Sequence, residues 1–268
     1  MRRLLLPCFS IIQLLNLQLA YSQDRDSLSS FKNTAPETAQ IRLHPDESLS
    51  SGSFHFKNLI VPSAMTAYGI VGLRSHRLRD ANKEVQEELW LEKPHKQIHV
   101  DDYLQWAPAV AVYGLHVAGI NGKHNFKDRT IIYGISTILM SSAVYEVKRI
   151  SKERRPDGSD LYSFPSGHTA NAFATAEFMR LEYKDVSIWY GVGGYAAAAF
   201  TGYLRLYNNK HWLSDVIAGA GVGILSTNLA YIIYAPIKRM FSRKNTASTI
   251  ILPAYRQGVA SIGAIHTF

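Results

Sequence analysis

Apolar residues gather along the middle of the chain into six long segments, with polar connections between them. The segments cover residues 58–73, 104–120, 130–147, 168–183, 186–204 and 212–236. Apolar runs of this length favour helices over strands. We therefore predict an all-α fold, a helical bundle of about six core helices, in a single domain over residues 54–244.

The polar parts of the chain change this picture at two places. The connection over residues 74–102 is long and charged, and its residues 83–90 are good helix formers, so we expect it to be helical in part. Beyond residue 244, two β-favouring stretches flank Arg256-Gln257-Gly258, which makes a short C-terminal β-hairpin possible. For this tail, residues 245–268, we favour a segment packed on the bundle or left mobile.

The N-terminus predicts export. Arg2 and Arg3 precede an apolar stretch over residues 4–19, and Ala20-Tyr21-Ser22 offers small residues where a signal peptidase cleaves. Residues 1–22 are thus a predicted signal peptide, and the polar residues 23–53 a flexible leader. Cys8 is the only cysteine and lies inside the signal peptide, so we expect no disulfide or thiolate metal site in the mature chain.

The chain is basic, with a formal net charge of +8. Cleavage after Ser22 removes two arginines and lowers that charge to +6. A cationic surface favours anionic substrates and membrane surfaces, and we find no nucleic-acid-binding module.

Candidate chemistry lies in three stretches, which run from Lys148 to Arg155-Pro156, from Pro165 to His168, and from Arg205 to Asp215. Together they hold cations, histidines, a hydroxyl and a carboxylate, as metal-free phosphoryl transfer through a phosphohistidine requires. Lys148 and Arg155 are two helical turns apart, so on a continuous helix they would share a face, and Pro156 would end that helix.

The other two stretches supply an anion site and a nucleophile. Ser166, Gly167 and His168 precede an apolar run, which predicts that their N–H groups lie at a helix N-terminus, where phosphate binds well. His211 and Asp215 are four residues apart. On a helix, the carboxylate can therefore fix the imidazole tautomer and leave the other ring nitrogen free to attack phosphorus.

In these motifs the chain resembles the superfamily of type 2 phosphatidic acid phosphatases, class A acid phosphatases and vanadium haloperoxidases. The resemblance covers about residues 100–235, with one departure, because Leu204 stands where the family usually has Ser. It implies that Lys148, Arg155, Arg205, Ser166 and Gly167 bind the phosphoryl oxygens. It also implies three catalytic roles: nucleophile for His211, orienting carboxylate for Asp215 and proton donor for His168.

Other patterns in the chain favour structural explanations. His95 and His99 have metal-ligand spacing but no matching third ligand, so we predict no metal site and no cofactor. The glycine-rich residues 219–223 look superficially like a dinucleotide loop, yet they follow no strand, which favours close helix packing.

The residues also bear on location and substrate. Residues 216–237 are long enough to span a bilayer, whereas the first two apolar segments are short, so we leave integral and peripheral membrane association open. We expect a periplasmic site in the cell envelope and a lipid phosphate or pyrophosphate substrate: lipid A, phosphatidylglycerol phosphate or an isoprenyl pyrophosphate. The alternatives are a soluble periplasmic acid phosphatase of broad specificity and a vanadate-dependent haloperoxidase.

Overall fold

A computed structural model describes residues 57–93, 95–242, 248–256 and 259–267. The predicted signal peptide and leader lie outside these residues. Eight α-helices and two strands make up the described chain. They are α1 (Lys57–Gly72), α2 (His76–Gln86), α3 (Asp101–Leu104), α4 (Ala107–Val117), α5 (Phe126–Ser151), α6 (Gly167–Tyr183), α7 (Ile188–Tyr207), α8 (Leu213–Ser242), β1 (Ser248–Arg256) and β2 (Val259–Thr267).

The predicted all-α fold is confirmed, because each of the six apolar segments coincides with one long helix: α1, α4, α5, α6, α7 or α8. The charged connection is helical in part, as expected, since it forms α2 and a π-helical turn over Glu87–Leu91. The possible C-terminal hairpin is present. Its strands pair antiparallel, from Ser248 opposite Thr267 to Arg256 opposite Val259.

Helix α6 is the centre of the bundle. Most of its side chains are buried, and many are small, so α7 and α8 both pack closely along it. Phe178 and Tyr183 of α6 join Val112 of α4 in one core cluster, and Ala170 and Ala174 join Val144 of α5 in another. Apolar burial from four other helices therefore fixes the position of α6, whose N-terminus belongs to the second motif.

Glycines of α8 allow the close helix packing. A Cβ added at Gly219 would lie 2.5 Å from the carbonyl oxygen of Ser166, and one at Gly223 would collide with the carbonyl oxygen of Ala170. On another face of α8, a Cβ at Gly221 would lie 2.6 Å from the carbonyl oxygen of Pro62 in α1. The interpretation of residues 219–223 as a helix-packing stretch is confirmed.

The three motifs meet at one end of the bundle. The C-terminal ends of α5 and α7 carry Lys148 and Arg205, and the N-terminal ends of α6 and α8 lie beside them. The Ser166 N–H donates to the carbonyl oxygen of Asp215 at 3.0 Å, which joins the last two ends directly. At the opposite end, Lys238 Nζ of α8 contacts Asp128 Oδ2 of α5 at 2.6 Å.

Two helices of the described chain, Phe126–Ser151 and Leu213–Met240, are long and apolar enough to cross a membrane. Length and composition alone make them candidates, and core helices of soluble proteins pass the same test. The two shorter apolar helices at Asn58–Gly72 and Ala107–Val117 fall below that length.

Candidate active site

The first motif is divided between a helix and a loop. Helix α5 ends at Ser151, because Lys152 adopts a left-handed backbone with φ of 47°. The expectation of one continuous helix through Arg155 was therefore wrong, and Pro156 lies beyond the helix end instead of causing it. The loop nevertheless folds back to α5, since Lys148 Nζ donates to the Tyr162 carbonyl oxygen at 2.5 Å.

Arg155 is oriented within this returning loop. Its Nε donates to Asp160 Oδ1 at 2.9 Å, and its backbone N–H donates to the carbonyl oxygen of the same residue at 3.1 Å. The guanidinium thus has a fixed anchor while its other N–H groups remain to bind an anion.

The second motif begins helix α6, as the sequence predicted. Ser166 is the N-cap residue and is fully buried; its Oγ accepts from the Thr169 N–H and lies 2.9 Å from Thr169 Oγ1. A Cβ added to Gly167 would meet Val144 at an ordinary 3.7 Å, so the fold itself does not require glycine there.

The third motif places His211 beside Asp215 without a shared helix. Helix α8 begins at Leu213, so His211 precedes it and only Asp215 lies in its first turn; the expectation that both lie on one helix was wrong. Their side chains still meet, with His211 Nδ1 3.6 Å from Asp215 Oδ2, and both are buried. This distance exceeds a normal hydrogen bond, as is common in catalytic pairs without substrate.

Ser163 holds the Asp215 carboxylate, a role that sequence reasoning missed. The buried Ser163 Oγ donates to Asp215 Oδ2 at 2.5 Å, and the Trp212 N–H donates to the same oxygen at 2.9 Å. Nδ1 is the ring atom of His211 that faces Asp215, so Nε2 is the ring nitrogen that does not face the carboxylate.

Helix α2 fixes the start of α8 from outside the motifs. Asn82 Nδ2 donates to Ser214 Oγ at 2.9 Å, and the Ser214 N–H donates to Asn82 Oδ1 at 3.0 Å. Asn82 is buried, and this pair of bonds satisfies an N-terminal donor that α8 cannot satisfy internally.

Two acidic residues of α3 extend the site, and sequence reasoning missed both. Asp101 is fully buried, and its Oδ2 accepts from Arg205 Nη1 at 2.5 Å. The neighbouring Asp102 Oδ1 lies 2.9 Å from His168 Nε2. Their signal in the sequence is an adjacent acid pair just before the second apolar segment, but only the packing of α3 brings it to the motifs.

The charges of the site converge on His211. Burial lowers the pKa of His211 well below its ordinary value, and the positive charges of Arg205, Lys148 and Arg155 lower it further. The pKa of His168 is also lowered, first by burial and then by Arg205, although Asp102 and Asp101 oppose the shift. At neutral pH His211 is therefore an uncharged imidazole among fixed cations, which is the form that can act as a nucleophile.

The remaining candidate residues have structural surroundings. Leu204 is buried in the core, so the Ser usual there would lie away from solvent in this chain. His95 stacks on Tyr207 with ring centroids 3.6 Å apart. In the described residues, Asp101, Asp102 and His168 bring three potential ligand atoms within 4.8 Å, but Arg205 and His168 already pair with the two carboxylates.

Residues 130–239 match the family model of the PAP2 superfamily. The matched segment is less than half of the chain. It contains Lys148, all of the second motif and all of the third, while Asp101 and Asp102 lie outside it.

One curated relative and two solved structures are similar to the chain. The lipid A 1-phosphatase of Porphyromonas gingivalis is 41% identical over 133 residues, which are 49% of this chain and 30% of the relative. The LpxE structure of Aquifex aeolicus is 19% identical, with a TM-score of 0.44 over 57% of this chain and 95% of that one. A transmembrane PAP2-type phosphatidylglycerolphosphate phosphatase of Bacillus subtilis is 16% identical, with a TM-score of 0.45 over 67% and 98%.

Proposed function

We propose that the protein is a metal-independent phosphatase of the cell envelope that removes phosphate from a lipid through a phosphohistidine. The observation that carries this proposal is the position of His211, an imidazole that faces a carboxylate 3.6 Å away and is kept uncharged by burial and by the surrounding cations. A general anion-binding site needs the cations alone. An uncharged imidazole oriented by Asp215 adds a nucleophile.

In the first step, Lys148, Arg155 and Arg205 bind the phosphoryl oxygens, together with Ser166 and the Gly167 N–H. Nε2 of His211 attacks phosphorus, and the bond from phosphorus to the lipid oxygen breaks. His168 gives its proton to that oxygen, so the lipid leaves as an alcohol, or as a phosphate if the substrate is a pyrophosphate.

In the second step, water attacks the phosphohistidine. His168 now accepts a proton from the water, the P–N bond breaks, and inorganic phosphate leaves His211 in its original state. The three cations oppose the negative charge that grows on the phosphoryl oxygens in both steps. They supply the charge that Mg²⁺ supplies in many other phosphoryl transfer enzymes, and we therefore assign no metal or cofactor.

The substrate we favour is lipid A phosphate. Its support is the 41% identity to a lipid A 1-phosphatase over 133 residues. Phosphatidylglycerol phosphate and isoprenyl pyrophosphates present a similar terminal phosphate on an apolar body, so they are the alternatives within the same chemistry.

We also propose that α5 and α8 lie in the inner membrane with the site on the periplasmic side, and that the chain crosses the membrane once more between the signal peptide and α5. Only 22% of the most apolar window of α5 is buried in the bundle, which leaves an apolar surface for lipid to cover. Ile138 of α5 is exposed, and neighbouring helices expose large apolar side chains as well, among them Ile60, Val61, Ile188 and Trp189.

The test is phosphate release by the purified full-length protein from lipid A, phosphatidylglycerol phosphate, isoprenyl pyrophosphate and water-soluble esters. We expect lipid substrates to be preferred, activity to survive EDTA, and vanadate to inhibit by occupying the phosphate position. The His211→Ala variant, prepared in parallel, controls for contaminating phosphatases.

Three results would contradict the proposal. Activity abolished by EDTA and restored by one metal would require a metal mechanism. Preference for soluble esters would favour the broad-specificity acid phosphatase. Bromide oxidation after vanadate loading, without phosphate release, would favour the haloperoxidase.

A further inference from the structure

A groove runs from the phosphate site along the outer face of α5. Its volume is about 310 Å³, within the range of small-molecule sites, and its lining is mainly apolar. Lys148 and Gly167 form one end, and Thr137 on α5 is among its lining residues. The groove is therefore continuous with the residues proposed to bind phosphate.

Small side chains on α5 create the groove. Thr137, Ser141 and Lys148 follow helical spacing, so they project along one side of the helix. Met140 and Val144 are buried next to them and contribute an apolar floor. A larger side chain at either Thr137 or Ser141 would occupy space that is open in this structure.

The wall nearest the phosphate site is polar. Asn171 lies one helical turn after Gly167; its Nδ2 is 3.3 Å from Gln105 Oε1, while Gln105 Nε2 donates to the Asp102 carbonyl oxygen at 2.9 Å. This chain of bonds fixes which amide atom is the oxygen. Asn171 Oδ1 is buried and has no hydrogen-bond partner among the described residues.

The groove therefore matches an amphipathic molecule, with a cation at one end and mainly apolar walls beyond it. We propose that it binds the apolar chain of the phosphorylated substrate, and that Ser141 and Thr137 set the length of chain that the groove can hold. This inference rests on the proposed phosphatase activity and names a binding site for the chain of its substrate.

The distance of each residue from Lys148 along α5 indicates the chain length at which its effect should begin. Ser141 lies seven residues before Lys148 and Thr137 eleven, or about 10 Å and 16 Å along a helix. Each methylene buried in the groove should raise kcat/KM about fourfold, until the chain extends beyond the groove.

The experiment measures kcat/KM of the full-length protein for monoalkyl phosphates from butyl to dodecyl, kept below their micelle concentrations. The wild type should show kcat/KM rising with chain length to a plateau. Ser141→Phe should bring the plateau to shorter chains, and Thr137→Phe should do so less. Ser142→Phe is the matched control, because Ser142 is the next exposed residue of α5 and does not line the groove.

The possible results distinguish failure of the groove proposal from failure of the phosphatase proposal. If the wild type hydrolyses none of the alkyl phosphates from butyl to dodecyl, the phosphatase proposal fails. If they are hydrolysed but kcat/KM does not depend on chain length, or if Ser141→Phe and Ser142→Phe behave alike, the groove proposal alone is overturned. A circular dichroism spectrum and a thermal unfolding transition like those of the wild type show that each variant is folded, and Thr137→Phe serves as the test if Ser141→Phe misfolds.

Discussion

The two histidines of the site have different neighbours, and these neighbours suit them to different roles. Burial holds the pKa of His211 well below the ordinary value of 6.5, and the surrounding cations lower it further. The pKa of His168 is also lowered, by burial and by Arg205, but the carboxylates of Asp102 and Asp101 oppose this shift. The nucleophile thus loses its proton at lower pH than the proton donor does, which is the order that the mechanism needs.

We predict a bell-shaped pH dependence of kcat/KM with its maximum on the acid side of pH 6.5. Activity is lost as pH falls through the pKa of His211, because a protonated imidazole cannot attack. It is lost again as pH rises through the pKa of His168, because no proton remains for the leaving oxygen. Steady-state kinetics on an alkyl phosphate measure both limbs, and a maximum above pH 7 would contradict the assignment.

Asp102 should act through His168. Asp102→Asn removes a charge that raises the pKa of His168, so the alkaline limb should move to lower pH. Alkyl phosphates should lose more activity than aryl phosphates, whose oxyanion leaves without a proton. Asp102→Glu, which keeps the charge, should restore most of the profile; equal losses on both substrates would indicate a structural role only.

Ser163 should matter for turnover more than for binding. Ser163→Ala leaves Asp215 without its side-chain donor, and a hydrogen bond to a buried charged group supports a fall in kcat of about tenfold to a hundredfold with little change in KM. Ser159→Ala is the control, since its hydroxyl bonds to Asp157 on an exposed loop. A large rise in KM without a fall in kcat would place Ser163 in substrate binding instead.

At the scale of helices, the proposed site residues lie at the ends of α5, α6, α7 and α8. The sequence predicted the presence of these helices better than the residues at which they begin and end. Apolar length located all six long helices. It did not show that α5 ends before Arg155 or that α8 begins after His211, because a left-handed residue and a cap from α2 determine those ends. The sequence did not predict Asp101 and Ser163 as site residues, because only tertiary contacts bring them to the site.

Close packing of α8 on α6 predicts opposite effects for two glycine substitutions. Gly223→Ala should destabilise the protein by about 1–3 kcal/mol, because its Cβ would collide with the Ala170 carbonyl oxygen of α6. Gly193→Ala in α7 has no atom within 4 Å and should stabilise it by about 0.5–1 kcal/mol. Thermal unfolding of the two variants in one detergent compares them; equal effects would contradict the helix-packing account.

At the scale of the whole molecule, the bundle has two chemically distinct ends. The motifs occupy the end formed by Lys148, Arg205 and the start of α8, and the contact between Lys238 and Asp128 marks the other end. If α5 and α8 span the membrane, these ends face opposite compartments. If the site is periplasmic, a membrane-impermeant reagent outside the cell should therefore reach the site end and not the opposite end.

Cysteines introduced at each end test this arrangement, since Cys8 is the only native one. Ser159→Cys, in the exposed loop of the site, should react with a membrane-impermeant maleimide in intact spheroplasts. Lys123→Cys, exposed at the other end, should react only after lysis, and alkaline carbonate should leave the protein in the membrane pellet. The reverse labelling would place the site in the cytoplasm.

The central claim is that His211 carries the phosphoryl group, and trapping the intermediate tests it most directly. The wild type is mixed with a ³²P-labelled substrate, quenched in alkali, and digested for mass spectrometry. We predict label that is stable in alkali, lost in acid, located on His211 and absent from His211→Ala. Label that persists in His211→Ala, or that lies on another residue of the wild type, would contradict the account.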